Sequence, residues 1–355
     1  MAFQELSLTL FQQTNLLIMN KKKTITSSRT GVKEIQEPLS YFSVCSGMEA
    51  ATVAWESLGW ECKGLCDFAP FPQKVLKHLY PDVPFYSNML NLLNDEKFKK
   101  TDFDVFVGGT PCQAFSSAGL GKGMDDERSQ LAIKYGTILD EKSPKYNVWE
   151  NVDGVFDKKH KEGLCDIISS FTGVDFRPEQ INRGGGVVQG TKRSIAYRVF
   201  DSQYFGVPQR RKRVYIVGYR GTDWRVPAAI LFDKGCFESP EKKNQRQRDE
   251  RTKSILGQIR IAGTVTKSYS QTLTDGFGKE STSNYWVDKK GIRRFTEKEL
   301  LRLQGFPDDY LDFNIDGKKP SYSNVKGIVG NSMTVNVMKW IGNRIQIVED
   351  MLNSK

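Results

Sequence analysis

From residue 39 to about residue 219, short apolar runs alternate with segments of helical periodicity. Five runs have the length and composition of buried strands: YFSVC (41–45), GLCDF (64–68), DVFVGG (104–109), YNVWENV (146–152) and RVYIVGY (213–219). After the first run, Ala51, Ala54, Trp55 and Leu58 are spaced i, i+3, i+4 and i+7, which defines one face of a helix. Strands alternating with helices predict an α/β fold with a largely parallel sheet.

The pattern changes after Gly218. Residues 221–292 are polar and basic, most densely at KKNQRQRDERTK (242–253). Helical signals return at 296–306, and residues 332–352 have the periodicity of a long amphipathic helix. The chain therefore divides into an extension (1–38), an α/β domain (39–220), a small basic domain (221–318) and a C-terminal segment (319–355) that packs back on the α/β domain.

Composition narrows the class of protein. The 355 residues carry a formal net charge of +10, which fits either a polyanionic partner such as nucleic acid or an ordinary basic protein. No apolar run approaches the ~18 residues that span a bilayer, so no membrane partner is expected. The first 20 residues do not resemble a secretory signal, and Met19 is an alternative start. We expect a cytoplasmic protein.

The six cysteines do not predict a metal site. Only Cys62 and Cys66 lie close together, and the chain has just two histidines, His78 and His160. Cysteines scattered in this way are typical of free thiols in a reducing compartment.

Five polar or flexible residues lie at the ends of predicted strands, one of them (Asn88) after a short element between the second and third runs. They are Gly47, Asp67, Asn88, Cys112 and Glu150. Parallel α/β sheets bind ligands beyond the carboxyl ends of their strands, so these residues are expected to share one edge. Gly47 in a tight turn and Asp67 near a ribose would suit a nucleoside cofactor. A structural turn and a helix cap explain the same two residues about as well.

Cys112 and Glu150 are candidates for chemistry. Cys112 follows a strand in GGTPCQAFSSAG (108–119), and a glycine-rich segment after it would move as a lid. The alternative, an inert core cysteine, would need no such loop. Glu150 ends an otherwise apolar strand, where burial would raise its pKa and suit it to donate a proton. A salt bridge to the arginines of QRRKR (209–213) is compatible with that role.

The motifs PCQ (111–113), ENV (150–152) and QRRKR, followed by LRLQGFPDDY (301–310) and GNSM (330–333), resemble the cytosine-5 DNA methyltransferase family. The sequences of residues 42–60 and 197–218 are most similar to phage and prophage members of the family. The resemblance covers roughly 40–220 and 290–345. It implies a Rossmann-like methyltransferase fold that uses S-adenosyl-L-methionine, with a target-recognition domain inserted before the C-terminal helix.

The resemblance also implies roles for individual residues. Cys112 would attack carbon 6 of a flipped cytosine, Glu150 would bind N3, and Arg213 with Arg211 beside it would bind O2. The expected cofactor-binding residues are Cys45, Ser46, Gly47, Met48, Asp67, Phe68, Asn88, Met89, Pro111, Asn331 and Ser332. The expected substrate-binding residues are Gln113, Ser116, Lys122, Arg128 and Gln209.

Three cofactor positions depart from the family pattern. The family usually has glutamate at Asp67, aspartate at Asn88 and phenylalanine at Cys45. Phe68 can supply an aromatic contact in place of the last. These changes bear on cofactor affinity and leave the residues of the reaction in place.

The partners implied are double-stranded DNA and, in a bacterial or phage-infected cell, a restriction endonuclease that the sequence does not reveal. A monomer is the default for the family. An RNA cytosine-5 methyltransferase is the nearest alternative, although a basic module after the arginines favours duplex DNA. A DNA-binding homologue without catalysis would be expected to have lost Cys112 or Glu150, and a dinucleotide oxidoreductase lacks its glycine fingerprint.

Overall fold

One mixed sheet forms the centre of the molecule. The computed structural model describes residues 37–111, 127–232, 285–288 and 291–354. The strands of this sheet are β1 (Ser40–Val44), β2 (Glu61–Cys66), β3 (Phe85–Tyr86), β4 (Val105–Gly108), β5 (Tyr146–Val152), β6 (Gly186–Val188), β7 (Arg193–Asp201) and β8 (Lys212–Arg220). A separate antiparallel pair is formed by β9 (Tyr285–Asp288) and β10 (Gly291–Arg294).

The order of strands creates a ligand-binding edge. Across the main sheet the order is β3-β2-β1-β4-β5-β8-β7-β6. The first five strands run parallel to their neighbours, whereas β8 is antiparallel to both β5 and β7. Because the chain winds outward in one direction from β1 and in the other from β4, the carboxyl ends of these two strands form the switch point where such sheets bind ligands. The mixed α/β fold is therefore confirmed.

Helices cover both faces of the sheet. They are α1 (Ala50–Trp55), α2 (Pro70–Leu79), α3 (Glu96–Lys100), α4 (Glu127–Lys142), α5 (Lys161–Thr172), α6 (Arg225–Leu231), α7 (Glu297–Gln304), α8 (Tyr322–Asn331) and α9 (Val335–Leu352). Successive strand residues point to opposite faces. Val107 and Val148 join the core beneath α1, α6, α7, α8 and α9, whereas Phe106 and Trp149 join the core beneath α3, α4 and α5.

The last helix packs against α1. Its buried apolar side comprises Val335, Met338, Ile341, Ile345 and Val348. The indole Nε1 of Trp55 donates to the carbonyl of Met338 at 2.9 Å. A Cβ at Gly342 would overlap that indole, so glycine allows the two helices to approach closely. The predicted capping box of α7 is also present, with the Thr296 and Glu299 side chains each accepting from the other's backbone amide.

The structure departs from the sequence expectation in two places. Strands β6 and β7 were not predicted, because Arg193, Arg198 and Asp201 interrupt the apolar pattern of β7. In addition, α6 and residues 295–311 pack into the same core as β1 and β4. The domain 221–318 stays a prediction, although residues near both of its ends contribute to this core.

None of the helices in the described ranges combines the length and apolarity needed to cross a membrane.

Candidate active site

The loop after β1 has an unusual backbone. Cys45, Gly47 and Glu49 have φ angles of +50°, +60° and +63°, in the left-handed region that favours glycine. The amide of Ser46 donates to the carbonyl of Cys66 at 3.1 Å, which fastens this loop to the end of β2. The thiol of Cys45 lies beside Asp67, and burial above all raises its pKa to about 12. Cys45 therefore stays an uncharged thiol at neutral pH.

Asp67 follows β2 and stands beside the loop, as expected for a cofactor-binding residue. Its Oδ2 accepts from the amide of Gly47 at 2.8 Å, and its Oδ1 accepts from the amide of Ala69 at 2.8 Å. Burial raises the pKa of Asp67, and the two backbone amides oppose that rise. Each oxygen keeps a second lone pair for another donor. Next to it the ring of Phe68 is 67% exposed, an open apolar face at the switch point.

Three other predicted cofactor residues, Asn88, Met48 and Met89, differ in what their side chains contact. Asn88 uses its Oδ1 to cap the turn that follows, accepting from the amide of Leu90 at 2.9 Å. The side chains of Met48 and Met89 are buried in the two cores, which leaves their backbone atoms as the groups with which they could bind a cofactor. Their burial reflects core packing of apolar residues that flank the loops. The carbonyl of Met48 accepts from the hydroxyl of Tyr310 at 2.6 Å.

The turn that leads to Cys112 is held by β5. Cys112 itself lies outside the described residues, but the turn before it is described as far as Pro111. Asn151 donates from Nδ2 to the carbonyl of Thr110 at 2.8 Å, and Trp149 donates from Nε1 to the Thr110 hydroxyl at 3.2 Å. All three residues are buried. Two side chains of one strand thus fix the backbone immediately before the predicted nucleophile.

Glu150 forms an ion pair on the same edge. Its Oε1 lies 3.1 Å from Nε of Arg213, which stands on the antiparallel neighbour β8. This oxygen is buried and accepts no aligned hydrogen bond from any described group. Burial raises the pKa of Glu150, and the charges of Arg213 and Arg211 act in the opposite direction. A Cβ at Gly109 would come within 2.9 Å of the Glu150 carbonyl and 3.0 Å of its Oε2, so only glycine leaves the carboxylate in place.

Arg211, directly before β8, joins this strand to the C-terminal segment. Its guanidinium is fully buried and donates from NH2 to the carbonyl of Ser332 at 2.7 Å. Burial, together with the charge of Arg213, lowers its pKa to about 9. Asn331, beside Ser332, is the last residue of α8 and is exposed. The last predicted cofactor motif is therefore tied to the strand that carries Arg213.

Gln209, a predicted substrate-binding residue, faces the interior of the protein. It is fully buried and donates from Nε2 to the carbonyl of Leu303 at 2.7 Å. This bond joins the β7–β8 connection to α7, which is a packing role. The predicted substrate-binding residues Gln113, Ser116 and Lys122 lie outside the described residues, as does the side chain of Arg128 in α4.

Sequence reasoning missed four residues of this edge. They are Glu49, Gly109, Thr110 and Asn151. Each stands beside a residue that was singled out, within CSGMEAA, GGTPC or ENV. Their position next to predicted site residues was the only signal in the sequence. Which of these side chains contacts a neighbouring element depends on tertiary structure.

The model of the family described as C-5 cytosine-specific DNA methylase matches residues 39–275 and 238–347. Type II methyltransferase M.HaeII of Haemophilus aegyptius is 30% identical over 317 residues, which cover 83% of this chain and 89% of that protein.

Two further relatives share part of the sequence or the fold. A DNA N-6-adenine-methyltransferase of Escherichia phage P1 is 38% identical over 229 residues, or 55% of this chain. The match spans only 30% of the phage protein's length. Among solved structures, the Dnmt2 methyltransferase of S. pombe aligns with a TM-score of 0.57 at 17% identity, covering 89% of this chain and 99% of that chain. At that identity the likeness concerns the fold.

Proposed function

The chain belongs to the C-5 cytosine-specific DNA methylase family, and on that premise we propose that it methylates carbon 5 of a flipped cytosine within a specific duplex DNA sequence. Cys112 is the proposed nucleophile, and S-adenosyl-L-methionine is the proposed methyl donor. The observation that carries the proposal is the buried Glu150–Arg213 ion pair, whose Oε1 accepts no aligned hydrogen bond, on the edge where Thr110 and Pro111 lead into Cys112.

The residues at the switch point fit S-adenosylmethionine. Asp67 offers free lone pairs to ribose hydroxyls, and the open ring of Phe68 offers a face for an adenine. The amide oxygen of Asn88 caps a turn and can accept a second donor from the adenine. When bound, the cofactor supplies an electrophilic methyl group. The exposed Asn331 and the loop at 45–49 complete the proposed pocket.

The thiolate of Cys112 would add to carbon 6 of the cytosine. A new bond between sulfur and carbon 6 makes carbon 5 nucleophilic, because the ring's electron density moves towards that carbon. Glu150 would hold the ring nitrogen N3 and share a proton with it, so that negative charge does not accumulate on the base. The raised pKa of Glu150 supports this role, because a buried carboxyl keeps its proton more readily.

Arg213 would orient Glu150 and donate to the base O2. Its Nε lies against the carboxylate, and its side chain is only 14% exposed, so its charge acts in a poorly solvated place. Arg211 would act indirectly, by positioning Arg213, because its own guanidinium donates to the Ser332 carbonyl. Carbon 5 would take the methyl group from the sulfonium, with S-adenosylhomocysteine as the leaving group. The proton on carbon 5 would then leave to water, and the electron pair of that C–H bond would expel the thiolate of Cys112.

The target base must leave the duplex, because carbon 6 cannot be reached in a stacked pair. Gln113, Ser116 and Lys122 are proposed to close behind it, and Arg128 to contact phosphate. The basic residues of 233–292 are proposed to read the sequence, consistent with the excess of positive charge. The protein would act on DNA in a bacterial or phage-infected cell as a monomer, with or without a restriction endonuclease.

Adenine is the alternative target raised by the name of the phage P1 relative. Methylation of an exocyclic amine uses that amine's own lone pair and needs neither a thiolate nor an acid at a ring nitrogen. A buried Glu150–Arg213 pair therefore favours a pyrimidine.

Methyl transfer from labelled S-adenosylmethionine tests the proposal. Duplex DNA, tRNA and Cys112→Ser protein are compared, and bisulfite sequencing of DNA from expressing cells locates the target. We expect label in duplex DNA at one short motif and none with Cys112→Ser. Label only in tRNA, or at adenine, would defeat the proposal.

Covalent trapping isolates the chemistry. A duplex with 5-fluorocytosine at the target should retain the wild-type protein, since fluorine cannot leave as the proton does. Absence of an adduct that depends on Cys112 would favour a DNA-binding protein without catalysis.

A further inference from the structure

Glu49 is a buried acid that the proposed mechanism does not use. It lies at the end of the loop after β1 and its side chain is 1% exposed. Its backbone has φ 63° and ψ 66°, a conformation that a residue with a Cβ adopts at a cost. Since glycine would adopt it freely, the side chain must offer something that compensates.

The carboxylate of Glu49 connects the elements around the loop. Its Oε2 accepts from the hydroxyl of Ser43 at 2.7 Å, and its Oε1 accepts from the amide of Thr52 at 3.1 Å. The Ser43 and Ser46 hydroxyls are hydrogen-bonded at 2.9 Å. The Ser46 hydroxyl in turn bonds the backbone of Cys66 at 3.2 Å. One carboxylate thus links β1, the loop, the start of α1 and the end of β2.

We propose that Glu49 is a positioning residue whose carboxylate holds the loop 45–49 in its left-handed conformation and so presents Gly47 to the cofactor. The inference rests on the proposed function, because the loop is assigned there to S-adenosylmethionine. Gly47 is the link: its amide donates to Asp67, the proposed ribose acceptor, at 2.8 Å. A loop that relaxes would therefore displace both the backbone and the acid of the cofactor pocket.

The ionised form of Glu49 makes the observed contacts. Both oxygens accept a hydrogen bond, and protonation would turn one acceptor into a donor. Burial raises the pKa of Glu49 to about 7, so the change falls near neutral pH. The titratable groups that interact with it are Tyr41, Cys62, Tyr80 and Tyr310, all with raised pKa values and uncharged at that pH. Cofactor affinity should therefore fall as the pH drops below about 7.

Calorimetric titration with S-adenosylhomocysteine at pH 6, 7 and 8 tests the inference. Glu49→Gln keeps the size of the side chain and one acceptor but cannot ionise. We expect Kd to rise about tenfold at pH 8 and the variant to match wild type within about twofold at pH 6. Ionisation of the ligand itself is the same for both proteins, so the ratio of the two Kd values isolates Glu49.

Glu349→Gln is the matched control. Glu349 is also a buried glutamate with two bonded oxygens, to Lys145 and Tyr146, but on α9 away from the loop. We expect its Kd to equal that of wild type at each pH. With saturating cofactor and duplex DNA, Glu49→Gln should keep kcat within about twofold, since the residue does not touch the reacting atoms.

The outcomes separate this inference from the proposed function. Equal Kd values for wild type and Glu49→Gln at pH 8, or a loss of kcat with unchanged Kd, overturn the role of Glu49 alone. Wild-type protein that binds no S-adenosylhomocysteine overturns the proposed function and the inference with it. A Glu49→Gly variant tests whether weaker binding could come from misfolding, because glycine adopts the left-handed backbone angles of this position without strain. It should unfold cooperatively and still bind the ligand about tenfold more weakly.

Discussion

Replacing Asn151 by alanine should slow methyl transfer without weakening the binding of the cofactor. The substitution removes the bond from Asn151 Nδ2 to the Thr110 carbonyl and the bond from the Val152 amide to Asn151 Oδ1. The bond to Val152 is local and part-buried, but the loss of the other leaves the carbonyl of buried Thr110 without this donor, which costs about 2 kcal/mol. If that energy holds the turn before Cys112 in its reactive arrangement, the competent population falls by up to about 30-fold.

The assay is single-turnover methyl transfer to a duplex at saturating S-adenosylmethionine, with thermal unfolding measured in parallel. We expect the rate to fall about 10- to 30-fold and the Kd of the cofactor to stay within about twofold. Asn147→Ala is the control, because Asn147 is also buried on β5 but lies at the opposite end of the strand from Thr110. An unchanged rate for Asn151→Ala, or an equal loss for Asn147→Ala, would refute the reasoning.

Three further substitutions have distinct expected results. Gly109→Ala should lower the rate about tenfold or more in the same assay, because its methyl group would meet the Glu150 carboxylate; a normal rate would count against that contact. Arg213→Ala should lower kcat by about 10²-fold and, by raising the pKa of Glu150 further, move the alkaline limb of the pH–rate profile upwards; a limb that stays in place would contradict the pairing. For Glu49, the folded-state pKa of about 7 exceeds the ordinary value of 4.5, so the folded protein binds more protons and loses stability as pH rises between them. Between about pH 5.5 and about pH 8, the free energy of unfolding of wild type, measured with urea, should therefore fall by about 2 kcal/mol relative to that of Glu49→Gln. The same pH dependence of this free energy in both proteins would exclude a raised pKa.

The elements that carry the site could be predicted from the sequence. The run YNVWENV is β5 from end to end, because the apolar residues Tyr146, Val148 and Trp149 alternate between the two buried faces of the sheet and outweigh the one polar residue before Glu150, Asn147. The residues Gly47, Asp67 and Asn88 do lie after β1, β2 and β3, since parallel strands bring their carboxyl ends to one edge.

Contacts made through the fold could not be predicted. The resemblance assigns Gln209 to substrate binding, but nothing in the sequence indicates that its amide donates to the Leu303 carbonyl, 94 residues away in sequence. The side chains of Met48 and Met89 are buried, because apolar side chains beside a loop are drawn into the nearest core, and the sequence did not indicate which core would take each of them. Strand β7 was hidden because its charged residues find partners in the folded protein, as Arg193 does at the Pro144 carbonyl.

The bond between the Arg211 guanidinium and the Ser332 carbonyl has a consequence for synthesis on the ribosome. The parts proposed to carry the chemistry are translated by residue 213, more than a hundred residues before Ser332 and α9 emerge. Until then the guanidinium lacks its carbonyl and Trp55 lacks the helix that covers it. A nascent chain, or one that stops before residue 332, should therefore remain silent towards DNA and avoid marking sites before its sequence-reading region has formed.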